Sequence, residues 1–117
     1  MEIRTIGSGI DAESALGAYV KRRIHFALGR FSSRVERVSV VLSNENGPNG
    51  GMGKTCRLRI RLPGFSTVVV EQIDFDVRAA VDRAAERIGR AVAIRLSPAV
   101  DSLRGKGKLI GLRKEQP

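Results

Sequence analysis

The most constraining stretch of the chain is residues 54–62, where Cys56, Leu58, Ile60 and Leu62 alternate without interruption with Arg57, Arg59 and Arg61. A period of two puts the apolar side chains on one side of a pleated strand and the arginines on the other, so this strand belongs in a sheet with one buried face. Something must cover that face. Residues 34–43, with Val35, Val38, Val40 and Leu42, read as a second strand. Val68-Val69-Val70 with Ile73 reads as a third, reached through Pro63-Gly64 as a hairpin turn. Residues 2–6 form a short opening strand that breaks at Gly7-Ser8-Gly9. Between the second and third strands in chain order, Asn44 to Gly53 is rich in Asn and Gly and reads as an exposed, mobile loop.

Two amphipathic segments supply the cover. In residues 12–29, with Asp11 as N-cap and Glu13 in the first turn, Leu16, Val20, Ile24, Ala27 and Leu28 recur at spacings of three and four, and Phe31 continues the stripe. A second helix starts at a cap on Asp74 or Asp76 and runs to about Leu96, where Ser97-Pro98 stops it; Val77, Val81, Ala84, Ile88 and Val92 form its stripe. The order strand, helix, three strands, helix predicts an α+β domain over residues 1–97, an antiparallel-rich four-stranded sheet with both helices on one face. Residues 98–117 carry Arg104, Lys106, Lys108, Arg113 and Lys114 among glycines without amphipathic period and read as a basic, flexible tail.

At 117 residues and 42% hydrophobic side chains the chain can enclose one modest core, so one domain is expected. The 21 Lys and Arg against 12 Asp and Glu leave a formal charge of +9, a surplus that describes partners and points to phosphate. No apolar stretch is long enough to cross a bilayer, and the opening residues lack the sections of a secretion signal, so a cytoplasmic location without membrane partners is expected. The single Cys56 permits no internal disulfide, and with the single His25 it cannot build a Cys/His metal cluster. No cofactor is expected.

Catalytic signatures fail on inspection. Gly53-Lys54-Thr55 is similar to the end of a phosphate-binding loop, but Pro48 stands where that motif needs its first Gly, and a strand follows instead of a helix. Asp74, Asp76 and Asp82 read as caps and surface charge, Cys56 as a small core hydrophobe and His25 as a solvated side chain. The chain is therefore expected not to be an enzyme. Binding chemistry is better represented. Sixteen of the 21 basic residues are Arg, whose planar fork grips phosphate in two places. Arg83, Arg87 and Arg90 fall within roughly 60° on the second helix and form a ridge. Asp82 and Glu86 lie mostly on its other side, with Glu86 able to reach Arg90 at the i, i+4 spacing. The first helix adds Lys21, Arg22, Arg23 and Arg30, with Arg23 and Arg30 beside Tyr19 and Phe26. Those rings can stack on unpaired bases, although a place at the edge of the core is the preferred reading for both. Arg57, Arg59 and Arg61 look outward with no facing acid.

Three segments together carry a family resemblance over residues 1 to 96. The opening Ile3, Ile6, Gly7, Ala15-Leu16, Tyr19-Val20 and Phe31, the strand Val38-Ser39-Val40-Val41-Leu42, and above all Asp76-Val77-Arg78-Ala79-Ala80-Val81-Asp82 followed by Arg87 and Arg90 resemble the ribosome hibernation factors, the family of hibernation-promoting factor and ribosome-associated inhibitor A. The third segment is similar to the family's D-x-Y-x-A-I-D, with Arg78 in the place of the usual Tyr. The resemblance implies a β-α-β-β-β-α fold akin to a double-stranded-RNA-binding domain that occupies the decoding channel of the small ribosomal subunit and excludes messenger and transfer RNA, as part of a stress response.

Its basic positions carry over as Arg23, Arg87 and Arg90, to which geometry alone adds Lys21, Arg22, Arg30 and Arg83. The implied partners are the small ribosomal subunit and its RNA, with no DNA. Long family members carry a C-terminal domain that pairs two ribosomes; residues 98–117 are too few for it, so this reads as a short form and self-association through such a domain is not expected. Two other classes fit the same charges and shape. One is a general structured-RNA-binding module, and the other is a small interaction protein that self-associates through Val41, Val69 or a free strand edge.

Overall fold

The computed structural model describes residues 1–8, 15–46 and 52–97. Their order is β1 (Glu2–Ser8), α1 (Ala15–Leu28), a single 3-10 turn (Gly29–Phe31), β2 (Arg37–Asn46), β3 (Met52–Arg61), β4 (Val68–Asp74) and α2 (Val77–Arg95). The sheet runs β1-β2-β3-β4. The α1 crossover leaves β1 parallel to β2, with Ile3 opposite Val38 and Thr5 opposite Val40, whereas β2-β3 and β3-β4 are antiparallel. The α+β architecture expected from the chain is the one observed.

The alternation in β3 does what its period dictates. Cys56, Leu58 and Ile60 are buried beneath the helices with Val38, Val40 and Leu42 of β2 and Val68 and Val70 of β4. From above, α1 contributes Leu16, Val20, Ile24 and Leu28, and α2 contributes Ala80, Val81, Ala84, Ala85, Ile88 and Val92. Burial pushes the Cys56 thiol up to about 12, so it remains a neutral hydrophobe. The turn after β3 is built by Pro63 and Gly64. The Phe65 N–H donates to Leu62 O at 2.8 Å, and Gly64 has φ of 91°, the left-handed value that position i+2 of a type II turn requires.

Several boundaries differ from expectation. The proposed cap at Asp11 and first turn with Glu13 lie outside the described residues, as does the tail from residue 98. Arg34 and Val35 end the turn after α1 instead of opening β2, since both N–H groups donate to Phe31 O. The stretch 44–53 is not a loop throughout. Asn44, Glu45 and Asn46 continue β2 and pair with Lys54, Gly53 and Met52, because an established antiparallel ladder overrides the weak strand preference of Asn and Gly. Of the two candidate caps, Asp76 is the N-cap of α2; its side chain accepts from the Arg78 N–H at 3.2 Å, while Asp74 accepts from the Asp76 N–H.

Candidate nucleic-acid interface

The outer surface of the two helices is shaped by how closely they pack. A Cβ placed on Gly89 of α2 would come 3.2 Å from the Ala27 carbonyl oxygen of α1, so only glycine lets the backbones approach this far without a shift. Ala27, Ala85, Gly89 and Ala93 form the floor of a cleft of about 490 Å³ between the helices, and Arg23, Phe26, Arg30, Glu86 and Arg90 form its walls. Three of the seven basic residues singled out in the sequence, Arg23, Arg30 and Arg90, thus meet in one place.

The others do not meet there. Arg83 is exposed on the outer side of α2. Arg87 leans to the opposite side from Arg90 and donates from Nη1 to the Glu71 carbonyl and the Gln72 side chain, both at 2.9 Å, which ties α2 to the edge strand β4. Arg22 stands over the Tyr19 ring, 5.7 Å from its centroid. Lys21 is exposed beside His25 on the flank of α1 away from the cleft, roughly 160° around the helix from Arg23.

At one end of the cleft Asp82 organises a small cluster. The Tyr19 hydroxyl donates to Asp82. That hydrogen bond, with partial burial and the Asp82 charge, raises the Tyr19 pKa above its ordinary value. Arg23 Nε lies 3.0 Å from Asp82 Oδ1 but has no acceptor in line with its N–H, so the contact is an ion pair without a proper hydrogen bond. Asp82 is therefore turned toward α1 and is not simply surface charge. Arg78 lies over the Tyr19 ring, 4.5 Å from its centroid.

Phe26 corrects the sequence reading. It is 82% exposed, outside the core, whereas Tyr19 packs partly against the core as expected. A signal was available: Phe26 follows the buried Ile24 by two residues, roughly 160° around the helix. The Arg23 guanidinium lies 5.7 Å from its ring centroid. Glu86 is also placed differently, since it lines the cleft and makes no ion pair with Arg90 among the described residues.

On the opposite face the sheet is open. Arg57, Arg59 and Arg61 do point outward, but two of them have facing acids: Arg57 pairs with Glu71 at 3.1 Å and Arg61 with Glu36 at 3.0 Å. Arg59 has no ion pair among the described residues and borders a shallow notch with Arg37, Ser39, Arg61 and Thr67. Arg4 and Arg37 flank Glu2 and hold its carboxyl below the usual range, chiefly through the Arg4 hydrogen bond. Ile6, Val69 and Ile73 are exposed on this face. Among the described residues no helix is long and apolar enough to cross a membrane, and no group of three or more His, Cys, Asp or Glu could hold a metal.

Comparison with known proteins fits this arrangement. The family model described as sigma 54 modulation protein / S30EA ribosomal protein matches residues 3–95. The crystal structure of the Thermus thermophilus Protein Y N-terminal domain is 31% identical, with a TM-score of 0.65 over 79% of this chain and 96% of that one. A ribosomal subunit interface protein from Coxiella burnetii shares the fold at 19% identity, with a TM-score of 0.66 over 80% of this chain and 94% of that one. No curated protein sequence matches. With the matched region running from β1 to the last turn of α2 and the same fold in both solved structures, the chain belongs to the sigma 54 modulation protein / S30EA ribosomal protein family, whose members are ribosome-associated.

Proposed function

We propose that this protein silences translation without chemistry: it binds ribosomal RNA in the decoding channel of the small subunit, in the cytoplasm, and excludes messenger and transfer RNA by occupying their path. The observation that carries the reading is the meeting of Arg23, Arg30 and Arg90 around one exposed cleft on the helical face of a family member. Arg30 and Arg90 have no ion pair among the described residues, so their guanidinium forks are available for phosphate oxygens. Lys21, Arg22 and Arg83 extend the positive surface. Arg87 contributes its remaining N–H groups while Nη1 holds β4.

Co-sedimentation with purified small subunits tests this. Arg30→Glu/Arg90→Glu should release most of the protein into the supernatant and relieve inhibition of cell-free peptide synthesis, while the unaltered chain inhibits at molar excess. Bound transfer RNA or messenger should displace it. A chain that is not displaced and binds naked duplex RNA with comparable affinity is instead a general binder of structured RNA. Retention of the doubly reversed variant on subunits would overturn the assignment of the cleft.

A further inference from the structure

Phosphate binding leaves two features of the cleft unexplained. Phe26 presents an 82% exposed ring at its wall, outside the core, with the Arg23 guanidinium 5.7 Å from its centroid and most of its surface left to solvent. Glu86 places a carboxylate among Arg23, Arg30 and Arg90, yet makes no ion pair among the described residues. A negative charge inside a phosphate site weakens it, so Glu86 works against the arginines unless the ligand also brings hydrogen-bond donors, because an ionised carboxylate only accepts. An exposed aromatic ring beside cations is the complementary half of a stacking platform for an unpaired base. The floor of Ala27, Ala85, Gly89 and Ala93 leaves room for a flat ring between the walls.

We infer that the cleft between α1 and α2 takes one unpaired guanine nucleotide of RNA, with the base stacked on Phe26, its donors on Glu86 and the flanking phosphates on Arg30 and Arg90. This rests on the RNA-binding reading above and sharpens it to a base. Of the four standard bases only guanine presents two neighbouring donors, N1–H and N2–H, on its Watson–Crick edge, and a carboxylate accepts both at once. Adenine and cytosine each set one amino donor beside an acceptor, and uracil sets its N3–H between two carbonyls. For those three the carboxylate faces an acceptor and is repelled.

Fluorescence anisotropy with short labelled single strands tests this on the full chain: an oligo-U strand, the same strand with one central guanine, and matched strands with adenine or cytosine at that position. The guanine strand should bind about fivefold tighter or more than the other three, the low end of what a bidentate base contact supplies. Glu86→Gln should abolish that ratio without lowering affinity for oligo-U, since it removes a negative charge. Phe26→Ala should weaken all four strands by about fivefold or more, the low end for one stacked base, and Phe26→Tyr should restore them. Because Phe26 is exposed, its replacement does not endanger folding.

Equal affinity for all four strands, or a guanine preference that survives Glu86→Gln, overturns the inference. Small-subunit co-sedimentation of the same proteins separates the two readings. Subunit binding with no base preference sinks the guanine site alone, whereas guanine preference without subunit binding sinks the ribosomal reading and leaves the site.

Discussion

Arg87 and Arg90 show how far a single residue's role depends on what lies beside it. A helical wheel places both on one ridge, and both are exposed. Yet the guanidinium of Arg87 reaches the edge of β4, where it donates to the Glu71 carbonyl, and Arg90 reaches the cleft. The two substitutions should therefore separate. Arg87→Ala removes a charge-assisted bond that ties α2 to the sheet edge and should cost about 1 kcal/mol at this exposed position, seen as a fall in Tm of about 4–8 °C. Arg90→Ala should leave Tm nearly unchanged and weaken binding to small subunits; thermal melts of both variants alongside co-sedimentation check this. The site was legible in the sequence as a set of cations and no further. Residue type and helical angle identified Arg23, Arg30 and Arg90, but which of them converge depends on Gly89 letting α2 close on Ala27. The wheel also carried the angle that puts Phe26 in solvent, and grouping it with Tyr19 hid that signal.

At the scale of elements, local chemistry decided most of the outcome. The period of two in β3 and the three-and-four spacing in both helices specify opposite apolar faces that only the observed layering can bury together, so the fold class could be read directly. Boundaries were harder where one element's end is set by another. The arms of the β2-β3 hairpin run through Asn44 and Gly53 because their partners across the ladder hold them, as in the Lys54 Nζ bond to Asn44 Oδ1 at 2.9 Å, and nothing in the Asn and Gly content announces that. The start of α2 was narrowed to two aspartates, and the backbone selects Asp76, whose extended φ of −101° and ψ of 124° suit a cap. Asp76→Ala should lower stability by about 1 kcal/mol through the lost cap bond to Arg78 N–H. Asp74→Ala should cost less, since Asp74 supports the cap without contacting the helix. Urea denaturation of the two variants, with an unchanged m-value, would show it; an equal loss would place the cap function on Asp74 instead.

For the molecule as a whole, the charge of +9 matters less than how much of it is free to meet phosphate. Arg4 and Arg37 share Glu2, Arg57 faces Glu71 and Arg61 faces Glu36, so much of the sheet-face charge is already matched, and between the helices Arg23 faces Asp82. On the helical face Lys21, Arg22, Arg30, Arg83 and Arg90 have no ion pair among the described residues, and Arg87 keeps part of its fork. If these cations neutralise about six phosphates, counterion release gives a log–log dependence of affinity on salt with a slope of about −4, taking the single-strand coefficient. The slope is diagnostic because each face contributes its own share. Arg90→Glu should make it shallower by about one phosphate's worth, whereas Arg59→Glu on the open sheet should leave it unaltered if only the helices touch RNA. Small-subunit binding measured across a salt series for the three proteins gives the answer. A slope near zero would remove phosphate from the interaction, and a fall on Arg59→Glu equal to that on Arg90→Glu would mean that RNA is gripped on both faces of the sheet.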